Sequence, residues 1–161
     1  MIFPLFFLFG CKSDPKPDPR VALLNSLGNK IIVPTYKEFE DQSKELHVQS
    51  QAFCSEGTLN IEQLQISWWN SRVPWKQMEL VKFGPYKEEP YRLGPKIDFW
   101  PIRPDNVDEL LYSDTPLEID AFSNFGTTVK GLPAIEYLLY NILPENTDND
   151  RVCEYVQVST E

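Results

Sequence analysis

The sequence predicts an all-α protein: an antiparallel helical bundle with an ordered proline- and aromatic-rich loop between its second and third helices. Three observations carry this. Apolar residues recur at spacings of three, four and seven in separate stretches, the period of a helix with one buried face. No stretch alternates apolar and polar residues as a half-buried strand would. Proline is concentrated in one region, at Pro85, Pro90, Pro95, Pro101 and Pro104, which cannot be a long helix. The 161 residues, 42% hydrophobic and 13% aromatic, are enough for one domain with a real core.

The amino end stands apart. M-I-F-P-L-F-F-L-F-G-C is too short to span a bilayer, which takes roughly 20 residues, and reads as the apolar core of a secretion signal over residues 1–10. Its ending, L-F-G-C, is similar to the lipobox of bacterial lipoproteins, in which a small residue precedes a lipidated cysteine, here Cys11. A positive segment before the apolar run is absent, and a buried amino-terminal strand is the alternative. The following K-S-D-P-K-P-D-P favours the lipoprotein, because prolines at every second residue make an extended tether, assigned to residues 11–29. Lys12 after the cysteine resembles an outer-membrane sorting signal. The expectations are export, a membrane contact through lipid on Cys11, and a place on the periplasmic face of the outer membrane or at the cell surface.

The helical domain is expected over residues 30–161. Its first helix covers Ile31 to Phe53, with a seam of Ile32, Tyr36, Phe39, Leu46 and Phe53. Glu56, Gly57 and Thr58 break it, and Thr58 is the expected N-cap of a second helix from Leu59 to about Phe83. Ile61, Leu64, Trp68, Trp75 and Met78 form that helix's main seam, with Trp69, Arg72, Glu79 and Phe83 on an adjacent face. Pro74 predicts a kink near Asn70 and Ser71. Residues 84–106 form the loop, pinned by Tyr86, Tyr91, Phe99 and Trp100. Short helices at 106–112 and 117–129 precede a longer one from Gly131 to about Asn141. P-E-N-T-D-N-D is a surface loop, and residues 151–161 begin a further helix. The four tryptophans read as core and loop anchors.

A net charge of −9 without a basic stripe would repel a phosphate backbone, so nucleic acid is excluded as a partner. The one histidine, His47, rules out a site of several imidazoles. With Cys11 assigned to lipid, Cys54 and Cys153 remain as an even pair, which an oxidising compartment would join; two buried thiols are the alternative.

In K-G-L-P-A-I-E-Y-L-L-Y, residues 130–140, Leu132, Glu136, Leu139 and Leu143 fall on one helical face. A charge there costs several kcal/mol unless it is paired or bound. Three readings compete. Glu136 could form an ion pair, with Arg72 the preferred partner and Arg92 and Lys82 behind it, since a guanidinium suits a desolvated carboxylate. It could join Glu79, Arg72 and Asp98 in a ligand pocket between helices, with Trp100 at the mouth. It could serve a catalytic metal, although zinc hydrolysis usually takes imidazole ligands and carboxylates alone suit hard ions or iron better.

Several segments together resemble the imelysin-like (peptidase M75) family: R-V-P-W-K-Q-M-E-L-V-K-F-G-P at 72–85, I-D-F-W-P at 97–101 and G-L-P-A-I-E-Y-L-L at 131–139, with Cys54 and Cys153 in familiar places. The resemblance covers residues 30–161 and implies the amino-terminal half of a longer helical domain, so the bundle is expected to be incomplete. Metal-binding or peptidase-like members carry histidine three residues before the motif glutamate, on the same helical face. Here that place is Pro133, which has no donor atom. The resemblance therefore implies a binding or accessory protein without turnover, linked to iron or haem acquisition and its uptake proteins. A metal-dependent peptidase and a ligand-free interaction module are the alternatives. Iron or another metal is the cofactor class this resemblance leaves open.

Overall fold

Asp18 and Pro19 start the helical chain. The Asp18 carboxylate accepts from the backbone N–H of Arg20 at 2.9 Å, and Pro19 takes the first turn, where a missing N–H leaves nothing unsatisfied. The computed structural model describes residues 18–56, 60–143 and 150–160. The assignments to the signal segment, to Cys11, to the Thr58 cap and to most of the 144–150 loop lie outside these residues.

Helix α1, Pro19–Leu27, passes through a π turn at Gly28–Ile32 into α2, Val33–Glu56. Of the tether expected over residues 11–29, residues 19–29 are helical, and the boundary expected at residue 30 falls inside continuous helix. An aspartate before proline, read as linker, is the N-cap and first turn of α1. No residue of α1 is buried. Helix α3, Ile61–Met78, begins at Asn60, whose side chain accepts from the Gln63 N–H at 2.9 Å. It ends five residues short of the expected Phe83. Leu80, at 93% exposed, and Phe83 have left the core, which removes the reason for the helix to continue. The helix runs through Pro74 without interruption.

The next segments hold short helices: α4 at Leu93–Ile97, α5 at Pro104–Leu111 and α6 at Ile119–Ser123. Only one of the four expected aromatic pins serves as one. Tyr86 stacks on Trp75 with ring centres 5.5 Å apart, whereas Tyr91, Phe99 and Trp100 are exposed. Helix α7, Leu132–Tyr137, continues through a π turn to Ile142, and α8 is Asp150–Thr160. Among the described residues there is no strand.

The bundle is antiparallel, as its side-chain contacts show. Phe39 on α2 meets Trp75 on α3 at 4.9 Å. On α3, Gln65 Nε2 donates to the Leu139 carbonyl and Trp68 Nε1 to the Leu132 carbonyl, both at 2.9 Å, so α7 runs opposite to α3. Helix α8 runs opposite to α2: Cys54 is joined to Cys153, while Ser50 and His47 meet Thr160 at 3.1 and 3.0 Å. The core between them contains Leu46, Leu64, Trp68, Trp75, Ile135, Leu138, Leu139, Tyr155 and Val156. Arg151 on α8 donates to the carbonyls of Leu110, Leu111, Ser113 and Thr115, which satisfies the carboxyl end of α5.

Candidate functional site

Trp68, Arg72 and Lys76 on α3 and Glu79, its C-cap, follow one another along one face at spacings of four, four and three. The Arg72 guanidinium lies over the Trp68 ring, 5.3 Å from its centre. Lys76 Nζ is 2.8 Å from Glu79 Oε1. The stripe is completed from the loop by Asp98, just beyond α4, whose side chain is only 2% exposed. Arg72 Nη1 reaches Asp98 Oδ1 at 3.4 Å, and Lys76 Nζ lies 2.7 Å from Oδ2. That second contact is off the line of a good hydrogen bond, so its attraction is chiefly Coulombic. Two cations and two carboxylates thus balance in a half-buried cluster. Burial pulls the Lys76 ammonium down, but Asp98 and Glu79 outweigh it and hold its pKa above the ordinary lysine range.

This cluster borders a cavity of about 460 Å³ lined by Lys76, Glu79, Lys82, Asp98, Phe99 and Trp100 among others. Trp100 is 69% exposed at its edge, and the Lys82 ammonium lies over the Tyr86 ring at 5.7 Å. Three of the residues expected from sequence, Arg72, Glu79 and Asp98, are therefore together, with Trp100 beside them. Lys76 was missed. Its position, four after Arg72 and three before Glu79, was the available signal.

Glu136 is not part of this network. It is half-buried, at the edge of the α7 face and not on it; the buried residues there are Leu132, Pro133, Ala134 and Ile135, then Leu138 and Leu139. It shares a face with Leu132 and Tyr140, both of which touch Trp68; burial, and after it the charge of Glu136, raises the Tyr140 phenol. Yet no ion pair joins it to Arg72, which is committed to Asp98. Arg92 pairs with Glu89, and Lys82 lies over Tyr86. The expected Glu136 ion pair is thus replaced by an Asp98 pair, because the loop carries its carboxylate into the space beside Arg72.

For a metal centre the donor set does not fit. Pro133 occupies the helical position three before Glu136 and offers no ligand atom. Among the described residues, no three His, Cys, Asp or Glu side chains converge closely enough to hold an ion.

Residues 32–161 match the imelysin (peptidase M75) family. The chain belongs to that family. Its fold is that of an imelysin-like protein from Psychrobacter arcticum 273-4, with a TM-score of 0.72 at 22% sequence identity. The match covers 86% of this chain and 44% of the Psychrobacter chain, so this imelysin sequence spans less than half of that protein's length. No curated protein matches it significantly. The Cys54–Cys153 bridge joins α2 to α8, as the pairing of the two remaining cysteines anticipated.

Proposed function

We propose that this imelysin chain is part of an exported, lipid-anchored binding or accessory protein that works without turnover in iron or haem acquisition. Lipid on Cys11 would hold it to the membrane at the periplasmic face of the outer membrane or at the cell surface, next to iron or haem uptake proteins. One observation supports the reading best: a cluster of Arg72, Lys76, Glu79 and Asp98, the last three lining a cavity with an exposed indole at its edge. Preformed polar groups under an exposed aromatic suit reversible capture of a polar ligand with a flat face. Hydrolysis would need a nucleophile, an activated water or a metal, and Pro133 stands where a ligand is wanted.

The test is a titration of the 161-residue chain with haemin and, separately, with ferric citrate. Haemin should quench tryptophan fluorescence saturably, and Trp100→Ala should weaken that binding about tenfold, as loss of an aromatic anchor does. A protease assay with added zinc and iron belongs beside it. Cleavage that disappears in Glu136→Ala would establish the peptidase reading instead. Absence of both haemin and iron binding would leave the interaction module.

A further inference from the structure

A second cavity, of about 350 Å³, lies between α2, α6, α7 and α8 and shares no lining residue with the Trp100 cleft. Its wall is apolar, built from Phe39, Leu46, Phe122, Leu132, Ile135 and Val158. Two lysines, Lys96 and Lys130, are the charged residues that line it. They are brought together by Gly131. At a φ of +80° it lets the 96–97 backbone come so close that a Cβ there would sit 2.4 Å from the Ile97 carbonyl oxygen and 2.8 Å from that of Lys96. The junction between α4 and α7 therefore sets both lysines on the wall of one apolar pocket.

Among the described residues neither charge is neutralised by an ion pair. Lys130 Nζ donates to the Ser123 carbonyl at 2.7 Å, which satisfies a proton but not the charge. Among the described residues no carboxylate forms an ion pair with either lysine, in a chain carrying 24 acidic side chains. Burial, and after it the charge of Lys96, lowers the Lys130 pKa. The Ser159 hydroxyl, also on the wall, has no hydrogen-bond partner among the described residues.

We propose that this cavity binds a small amphipathic anion, an alkyl carboxylate whose tail fills the apolar pocket and whose head group sits between Lys96 and Lys130. Its volume is at the lower end of ligand cavities, which suits a short chain and not a folded partner. The two cations supply what an apolar cavity lacks, a reason to prefer one charge. This inference does not rest on the reading of the Trp100 cleft, and the failure of either leaves the other standing.

The experiment is calorimetric titration of the 161-residue chain with octanoate, octanol and octylamine. Octanoate should bind saturably at one site, octanol at least about tenfold more weakly and octylamine not at all, since a hydrogen bond to a charged group carries about that factor. Lys96→Gln should weaken octanoate by about tenfold while leaving octanol unchanged. Lys96 is exposed, so this variant keeps the fold, checked by circular dichroism. Lys130→Gln should act in the same direction. Octyl phosphate distinguishes the head group: binding equal to octanoate would support an anion-with-tail site open to phosphate esters as well. Equal affinity for octanoate and octanol, or full octanoate binding in the double lysine variant, would overturn the proposal. So would a dimer, seen by sedimentation, whose formation excludes octanoate, because a second copy would then occupy the cavity.

Discussion

Asp98 and Glu136 show how burial decides what a carboxylate is worth. Both stand in apolar stretches, I-D-F-W-P and A-I-E-Y-L-L, and by pattern Glu136 looks the more deeply placed. Helical periodicity puts it on the seam to within one residue, but α7 is buried around most of its circumference, so its seam is broad and Glu136 sits at the margin. Asp98 follows a five-residue helix, where no period applies and no pattern could announce a 2% exposed side chain. The energetic order is therefore reversed from the sequence expectation. Asp98→Ala strands Arg72 and Lys76 and should destabilise by about 2–3 kcal/mol, somewhat below a fully buried pair because Lys76 keeps contact with water. Glu136→Ala, which breaks no ion pair, should change stability by less than about 1 kcal/mol. Urea unfolding of the two variants beside wild type decides it, and a larger loss at Glu136 would restore the buried-pair reading.

Between elements, the contacts that sequence conceals are those made by loops and short helices. The seam of α3 was legible because a long helix repeats one face several times: Leu64, Trp68, Trp75 and Met78 are buried as their spacing required. Of the α2 seam only Leu46 is buried, and Tyr36, Phe39 and Phe53 pack half-buried against the core. The start of α1 was hidden by a linker-like composition, and the end of α3 by a period that continues in sequence after the packing has stopped. Docking of α7 on α5 was not legible at all. Tyr137 donates to both carboxylate oxygens of Asp108, at 3.0 and 3.1 Å, across 29 positions of chain. Burial first, then Asp108, pushes the Tyr137 phenol from 10.0 up to about 12. Its folded pKa is above its unfolded one, so the neutral phenol's contribution is complete below pH 10 and is lost as pH rises toward 12. Tyr137→Phe should cost about 1–2 kcal/mol at neutral pH. The gap to wild type should then close between pH 10 and 12, when other titrating groups are cancelled by the comparison. A gap constant across that window would mean the phenol is not shifted.

For the whole molecule, the question is what holds α8 onto the bundle. Two forces are available. Val152, Tyr155 and Val156 are fully buried against the core, and the Tyr155 hydroxyl donates to the Val129 carbonyl. The Cys54–Cys153 bridge closes 99 residues of chain. A loop of that length loses much of its freedom when unfolded, which in the chain-entropy account stabilises the folded state by about 4–5 kcal/mol, with measured bridges nearer 2–5. Apolar burial by α8 is of the same order, at about 1.5–3 kcal/mol for each large side chain. The bridge is thus expected to set the margin of stability without being needed for the topology. Cys54→Ser with Cys153→Ser should unfold at lower urea, with about 2–5 kcal/mol lost, and should keep its helical circular dichroism. Wild type treated with dithiothreitol should behave as the double variant does. That equivalence bears on the compartment too, because a stability margin that disappears on reduction is retained only where thiols are oxidised. If the reduced protein is within about 1 kcal/mol of the oxidised one, the helix is held by its apolar face alone and the bridge no longer supports export.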